Sequence, residues 1–324
     1  MKRRSFMAAA ASAGLPALMS SQAFAQQFPD RNIRMILPSS VGGSADAMMR
    51  LLTEPMRRVL GQTVVAENRP GASGAIGTLE VARAAPDGHT IAFIWSGPLS
   101  VVPILKPTTG YDPLRDFAPI SMVGTAPGVI MAHPSLPSDV RGLIEYAKSQ
   151  PQGLEVGNAG AGSPGHLWAQ LFAKQAGVKF VHVPYKGTSD AIPPLVAGDI
   201  KLIFSTTSAT YNNLARAGKI KIIGVASLNP SPLVPGVETI AKTLPGFETE
   251  VWYGVMAPAR TPPDVVRKLN QAVLAAMNDA NVKAKFLENA VAPMSSTPQQ
   301  MADRMAKEYN LWKALLADGS IKAE

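Results

Sequence analysis

The sequence predicts an α/β protein made of two lobes, and three observations carry that prediction. Short β-like runs alternate with helix-like stretches, which is typical of parallel sheets with helical crossovers. The chain has 324 residues, more than one hydrophobic core usually serves. Two segments rich in Pro and Gly, 106–116 and 228–246, bracket its middle. We therefore expect two Rossmann-like lobes around a cleft, joined by two crossing strands.

The β-like runs are short and apolar, and turn residues bound them. They cover residues 33–37, 63–67, 90–95, 129–132, 154–157, 179–183, 201–205, 221–226 and 252–257. Apolar residues at helical spacing cover 44–60, 74–84, 139–149, 165–176, 189–197 and 209–217. Pro55 is expected to kink or shorten the first of these helices. Two more helices are expected after Thr261 and Thr297, each with a Thr cap and Pro in the first turn.

The start of the chain has the features of a secretory signal peptide. A basic start at residues 2–4 precedes an apolar stretch, and residues 23–25 form an A-x-A cleavage site. These features predict export to the periplasm by the Sec or the twin-arginine route. The expected division is a signal peptide at 1–25, lobe 1 at 26–124 and 251–324, and lobe 2 at 125–250.

Composition excludes several classes of function. The formal net charge is +8, but Lys and Arg are scattered, whereas a nucleic-acid role would want a clustered basic patch. The chain has no Cys, so no disulfide framework, thiol nucleophile or thiolate metal ligand is expected. After the signal peptide no uninterrupted apolar segment is long enough to predict a membrane span.

A glycine-rich loop, "PSSVGGSAD", follows the first predicted strand and leads into a helix that starts near Ser44. Ligands of parallel sheets lie beyond the carboxyl ends of the strands. The helix start offers backbone N–H groups and the positive end of the helix dipole, which together can hold a carboxylate or phosphate. Gly42 and Gly43 would allow close backbone approach. The alternative is a plain strand-to-helix turn that Ser44 caps.

A second loop of the same kind, "GNAGAGSPGH", follows the fifth predicted strand. Asn158 and Ser163 add side-chain donors and acceptors before another helix start. The loop contains a G-x-G-x-x-G pattern from Gly160 to Gly165, but the acidic residue that dinucleotide binding needs after the next strand is missing. We therefore expect no nucleotide cofactor. If the lobes face each other, the two glycine loops lie across one cleft.

Three more predicted strand ends carry groups that suit a ligand, although each also fits a plain turn or a core position. They are Tyr185 with Lys186, Trp95 with Ser96 and Gly97, and Ser205 with Thr206 and Thr207.

Signals of catalysis are weak. The four histidines show no metal-binding spacing, and no Walker-type or G-x-S-x-G motif occurs. A Ser163–His166 pair is the only candidate for an exported hydrolase. We expect no catalytic residues, no metal and no cofactor.

Several longer segments carry a resemblance to a known family. They are "VVAENRPGASGAIG", "VARAAPDGHT", "YDPLRDFAPIS", "HVPYKGTSDAIPPLVAGDI" and "PARTP". The chain resembles the Bug-type receptors of tripartite tricarboxylate transporters, which are periplasmic solute-binding proteins. The resemblance implies a type II periplasmic-binding-protein-like fold that closes on an organic anion. It also implies that residues 38–46 and 158–163 face each other, with His166 following.

Departures from the family pattern bear on the ligand. Val41 stands where the family's first loop usually has Pro, and Asn158 stands where its second loop usually has Ser. Many members carry Asp and Asn at the positions of Ser205 and Thr206, where the Asp could pair with an ammonium group. The resemblance therefore favours a ligand without positive charge. Trp95 and Trp252 keep an aromatic carboxylate possible.

The predicted function is that of a monomeric periplasmic receptor, not an enzyme. It would capture a small di- or tricarboxylate or aromatic acid and deliver it to transporter membrane subunits. A ligand sensor on the same scaffold is the alternative, beside the hydrolase. The predicted ligand-binding residues are Ser39, Ser40, Gly42, Gly43, Ser44, Asp46, Ser96, Gly97, Asn158, Gly160, Gly162, Ser163, His166, Tyr185, Ser205 and Thr206. Asp46 is expected to orient its loop, because like charges repel.

Overall fold

The structure of the chain is a computed structural model that describes residues 28–42, 44–160, 162–185 and 187–317. The predicted signal peptide, residues 1–25, and the predicted ligand-binding residue Gly43 lie outside the described residues. None of the helices in the described ranges combines the length and the apolar character that crossing a bilayer requires.

Strands and helices alternate through most of the chain. The strands are β1 (Ile33–Leu37), β2 (Val64–Asn68), β3 (Thr90–Trp95), β4 (Phe117–Ala132), β5 (Leu154–Asn158), β6 (Phe180–Pro184), β7 (Leu202–Thr206), β8 (Lys221–Val225), β9 (Glu250–Pro258) and β10 (Ala292–Pro293). The α-helices are α1 (Ser44–Leu60), α2 (Ala75–Ala82), α3 (Gly97–Ser100), α4 (Val102–Leu105), α5 (Val140–Lys148), α6 (Pro164–Ala176), α7 (Thr188–Ala197), α8 (Ala209–Arg216), α9 (Pro263–Asn278), α10 (Ala280–Glu288) and α11 (Pro298–Ala317).

Three local expectations were wrong in whole or in part. Pro55 does not shorten α1, which runs through it over 17 residues. The Thr261 side chain does not cap α9, because its hydroxyl donates to the Pro258 carbonyl and Pro262 holds the cap position. Strand β4 begins at Phe117, well before the expected 129–132. The Thr297 cap is present, since Thr297 and Gln300 exchange side-chain to backbone hydrogen bonds.

The strands form one mixed arrangement in the order β2-β1-β3-β9-β4-β7-β5-β6. Strand β1 pairs in parallel with β2 and β3, and β5 pairs in parallel with β6 and β7. Strand β4 joins these two groups, because residues 117–127 pair with β9 and residues 128–132 pair with β7. Two parallel units therefore share one long antiparallel strand, which places the ends of β1, β3, β5 and β7 around a common centre.

Apolar residues are buried on both sides of this centre. In the first unit, Phe93 of β3 packs with Leu52 of α1 and Leu269 of α9. In the second, the Phe172 ring of α6 lies 5.4 Å from that of Phe204 and 5.9 Å from that of Phe247. These buried clusters fix α1 and α6 against their strands, and so fix where each helix begins.

The C-terminal helix α11 packs on both units. Met301 and Met305, near its start, join the cluster that contains Trp252, whereas Trp312, near its end, joins the cluster around Phe172. The helix also holds Glu308, whose carboxylate accepts hydrogen bonds from Trp252 Nε1 and from the Ser100 hydroxyl.

Burial raises the pKa of Glu308, and the bond from Trp252 only partly offsets that effect. The Ser100 hydroxyl also lies 2.9 Å from the Ser96 carbonyl. Its single hydrogen can serve one of these two acceptors. A protonated Glu308 would donate to Ser100, and Ser100 would donate to Ser96, so the neutral acid satisfies every group.

We predict that Glu308→Gln stabilises the protein increasingly as pH rises. A carboxyl whose pKa is raised by folding loses its stabilising contribution as pH rises through that pKa, whereas Gln does not titrate. Each pKa unit corresponds to about 1.4 kcal/mol. The difference in melting temperature between variant and wild type should be small near pH 5 and positive near pH 8. Glu145→Gln, at an exposed position of α5, is the control. A difference that does not change with pH would contradict the prediction.

Candidate functional site

A cleft with a volume of about 370 Å³ lies where the two parallel units meet. Its wall combines hydroxyl groups, backbone and apolar groups, and no charged side chain occurs among the described residues that line it. The lining residues are Ser39, Ala45, Trp95, Ala159, Ser163, Pro164, Gly165, Thr188, Ser205, Thr206, Val251 and Tyr253. Both glycine-rich loops thus contribute residues to the same cleft.

Side chains behind the first loop fix its shape. The Asp46 carboxylate accepts from the Gly42 N–H at 3.0 Å and from Arg50 Nε at 3.0 Å. Arg50 also donates to the Asn68 oxygen, and the Asn68 amide donates to the Ser39 carbonyl. Asp46 is 4% exposed. Burial disfavours its charged form, but the Gly42 N–H and the Arg50 guanidinium outweigh that, and the pKa of Asp46 lies below its ordinary value.

The Gly42 amide is therefore engaged within the protein, although we expected it to be free for an anion. Gly42 contributes its backbone conformation, with φ of 89°, and no atom lies within 4 Å of the position that a Cβ would take. Ser39 lines the cleft, Ser40 is exposed in the same loop, and Ser44 begins α1.

The second loop combines satisfied and unsatisfied polar groups. The Asn158 side-chain oxygen accepts from the Gly160 N–H at 2.9 Å, and the Ser163 N–H donates to the Gly160 carbonyl. The Asn158 side chain is 2% exposed, yet its Nδ2 has no hydrogen-bond partner among the described residues, and neither does the buried Ser163 hydroxyl. An unpaired buried polar group costs about 1–3 kcal/mol, so these two groups gain most from a polar ligand.

His166 lies behind the second loop and does not line the cleft. The ring is 4% exposed, and its Nδ1 accepts from the Gly162 N–H at 3.1 Å. Its Nε2 lies 2.9 Å from the Gln170 side-chain amide, and its ring contacts that of His182 edge to face. Burial lowers the pKa of His166. The ring therefore contacts the loop backbone, where we had expected it to contact the ligand.

Other predicted residues divide between the cleft and the core. Ser205 and Thr206 line the cleft at the end of β7. Ser96 is buried and donates its N–H to the Trp252 carbonyl. Gly97 lies so close to the Trp95 indole that a Cβ would come within 2.9 Å of it. Tyr185 packs on the apolar cluster of α7. Ser96, Gly97 and Tyr185 are thus not part of the cleft lining.

Sequence reasoning chose the wrong aromatic residue on β9. Trp252 is fully buried and donates to Glu308, whereas Tyr253 lines the cleft beside Trp95. Neighbouring residues of a strand point to opposite faces, so only one of the pair can face the cleft. No feature of the sequence distinguished the two faces of β9, and Val251 of the same strand was missed for that reason. Ala45 and Thr188 were missed because they lie in the first turns of α1 and α7, where a small side chain gives no local signal of a cleft.

An α/β chain with a cleft at the strand ends of two joined parallel units has the architecture of a solute-binding protein. The sequence model of the tripartite tricarboxylate transporter family receptor matches residues 48–320. The chain is 33% identical over 315 residues to Protein BugT of Bordetella pertussis, covering 96% of this chain and 95% of that protein. It belongs to the tripartite tricarboxylate transporter receptor family, and it is a solute-binding receptor of that family.

Solved structures agree with this assignment. The periplasmic binding protein BugD matches with a TM-score of 0.71 and 32% identity, covering 91% of this chain and 99% of the other. Rpa4515 of R. palustris, solved with adipate, matches with a TM-score of 0.75 and 32% identity, again covering 91% and 99%. The expected α/β fold class and Bug-type resemblance are thereby confirmed.

We predict that Gly165→Ala destabilises the protein. A Cβ at Gly165 would lie 2.0 Å from the Phe204 carbonyl oxygen, so α6 must move away from β7. Overpacking of this kind costs about 1–3 kcal/mol. The control is Gly187→Ala, where the nearest atom to a Cβ is Asp190 Oδ2 at 3.9 Å. Urea unfolding should show a lower midpoint for Gly165→Ala and almost none of that change for the control. Equal midpoints for both variants would contradict the steric argument.

Proposed function

We propose that this receptor captures a small organic carboxylate in the cleft and delivers it to the membrane subunits of a tripartite tricarboxylate-type transporter. The single observation that carries the proposal is the cleft itself, which presents two helix starts, α1 and α6, and whose described lining residues include no charged side chain. The proposed lobes are residues 26–124 with 251–324, and residues 125–250. The proposed setting is the periplasm, reached by a cleaved signal peptide, with the receptor acting as a monomer.

Backbone and hydroxyl donors would bind the carboxylate. The N–H groups of Gly165 and His166 at the start of α6 have no acceptor among the described residues. The Ser163 hydroxyl and Asn158 Nδ2 lie on the same loop. The start of a helix carries roughly half a positive charge, which attracts an anion without any basic side chain. Ser39, Ser40 and the start of α1 would bind the opposite end of the ligand.

The apolar part of the cleft indicates the middle of the ligand. Trp95, Val251 and Tyr253 supply its apolar and aromatic side chains. No carboxylate lines the described cleft that could pair with an ammonium group, and Ser205 and Thr206 occupy the strand end where the family pattern often has Asp and Asn. A hydrocarbon or aromatic segment between carboxylates suits this wall. The adipate bound by the related Rpa4515 has this composition.

We further propose that the chain is not a hydrolase. His166 Nδ1 accepts from the Gly162 backbone, and its Nε2 faces Gln170, so neither ring nitrogen activates Ser163. The Ser163 hydroxyl has no hydrogen-bond partner among the described residues. A nucleophilic serine needs a base within hydrogen-bond reach. Ligand capture would instead proceed by closure of the lobes, with the ligand stabilising the closed state through contacts to both.

Adipate and an aromatic dicarboxylate should raise the melting temperature of the protein, whereas amino acids with a free ammonium group should not. A ligand at about 100 times its Kd stabilises the folded state by about 2.7 kcal/mol. Thermal-shift and calorimetric titrations measure this directly, and the acid should be recovered chemically unchanged. Turnover of the acid, or tighter binding of lysine than of adipate, would contradict the proposal.

Ser163→Ala should weaken adipate binding by roughly ten- to a hundredfold, because a hydrogen bond to a charged group such as a carboxylate contributes about 1.5–3 kcal/mol. The matched control is Ser149→Ala, since the Ser149 hydroxyl is exposed and donates to the Tyr146 carbonyl far from the cleft. Isothermal titration calorimetry gives both Kd values. Unchanged affinity in Ser163→Ala would remove the α6 end from the binding site.

A further inference from the structure

Each glycine-rich loop is held by a side chain from the first turn of the helix that follows it. In the first loop the Gly42 N–H donates to Asp46, four residues later. In the second, the Gly162 N–H donates to His166, also four residues later. The two contacts have the same geometry but different chemistry. Asp46 is a carboxylate whose pKa lies below its ordinary value, whereas His166 is an imidazole whose pKa is lowered by burial.

The contact to Gly162 fixes the protonation state of His166. A backbone N–H can only donate, so Nδ1 must present its lone pair. The proton of the neutral ring then lies on Nε2, which is 2.9 Å from the Gln170 side-chain amide. The Gln170 side-chain oxygen accepts this proton when the amide group is rotated by about 180° around its terminal C–C bond, which exchanges its oxygen and nitrogen. In the charged ring both nitrogens carry protons, and Nδ1 can no longer accept from Gly162.

We propose that His166 is a positioning residue that holds Gly162, and with it the second loop, in the ligand-binding shape only while its imidazole is neutral, so that proton uptake weakens ligand binding. The inference rests on the proposed function of the cleft, and it goes beyond that function by making capture dependent on pH. It also explains why a buried histidine follows the loop without touching the cleft.

The loop depends on this contact because Gly162 immediately precedes Ser163, which lines the cleft. Gly162 has a φ of 73°, a conformation that a new hydrogen-bond partner would have to preserve. The Ser163 N–H donates to Gly160, whose own N–H donates to Asn158. Losing the His166 acceptor would leave the partly buried Gly162 N–H opposite another N–H. The loop must then rearrange, and the donors of Ser163 and of the α6 start move with it.

The surroundings of His166 favour the neutral ring. His182 of β6 is the titratable group that contacts it, with ring centroids 4.5 Å apart. Burial, and then His166 itself, lower the pKa of His182 to about 4. On its own helix the ring meets Gln170, and Lys174 lies one turn further along. In the described ranges no carboxylate from β5, β6 or β7 pairs with either ring, so nothing compensates a charge on His166.

The direction of the pH effect follows. Below the pKa of His166 the ring is charged and cannot accept from Gly162, so the ligand-binding shape of the loop is disfavoured. Because one proton is then linked to binding, Kd rises by up to about tenfold for each unit by which the pH falls. Affinity should therefore be high near pH 7.5 and fall toward pH 5. Adipate also gains protons near the lower end of this range, so the wild-type profile alone cannot assign the effect to His166.

The deciding experiment compares the pH dependence of adipate binding in wild type, His166→Asn and His182→Gln. An Asn side-chain oxygen can accept from Gly162 without titrating, so His166→Asn should bind near pH 7.5 and lose much less affinity by about pH 5 than wild type. His182→Gln removes the neighbouring titratable ring and should keep the wild-type profile. A wild-type profile in His166→Asn, or a flat one in His182→Gln, would overturn the inference.

A measurement without ligand separates this inference from the proposed function. In ¹⁵N-labelled full-length protein, the His166 ring should carry its proton on Nε2 near pH 7.5, and the Gly162 amide shift should follow the titration of that ring. This readout decides the role of His166 even if adipate does not bind. A proton on Nδ1, or a Gly162 signal indifferent to the titration, would overturn the inference, whereas failure of adipate alone would count against the ligand class.

Discussion

The pairing of β4 with β9 is the constraint on which the rest of the structure depends. Residues 117–127 of β4 pair with β9, and residues 128–132 continue into a ladder with β7 and β8. One strand thus belongs to both parallel units. Because of it, the carboxyl ends of β1 and β5 open onto the same cleft, although their loops are far apart in sequence.

In the function that we propose, two loops bind an anion with no basic side chain among the described residues of the cleft. The glycines supply the backbone conformations of the loops. The N–H groups of two of them, Gly42 and Gly162, donate to Asp46 and His166. The donors that we propose for the ligand are the N–H groups of the helix starts, the Ser163 hydroxyl and Asn158 Nδ2, and the last two have no partner among the described residues. A lysine in this position would bind many anions, whereas fixed amides favour a carboxylate that fits their spacing.

Local pattern was sufficient to predict most elements, because hydrophobic periodicity determines them. Strands β1 and β3 and helix α1 have the bounds that their apolar runs predict. The first half of β4 escaped prediction because it is buried on both faces and contains Pro and Gly, so it lacks the alternation of a half-exposed strand. Its register shifts on β9 are tertiary features that no local pattern reports.

The candidate site was predicted less completely, for a similar reason. Sequence spacing placed the loops, and the cleft indeed contains Ser39, Ser163, Ser205 and Thr206. It could not tell which way a side chain points. Period-two alternation allows either neighbour on β9 to face the cleft, and His166 could equally have faced the ligand or the loop. Such choices depend on packing partners from distant parts of the chain.

The C-terminal helix α11 has a mechanical consequence. Its first half is embedded beside Trp252 and Met256 and its last turns are embedded beside Phe172. If the lobes close about β4 and β9 as we propose, either α11 must bend or Trp312 must leave the buried cluster around Phe172. Helix α11 would then limit how far the two lobes can move apart, so we expect only a small opening of the cleft.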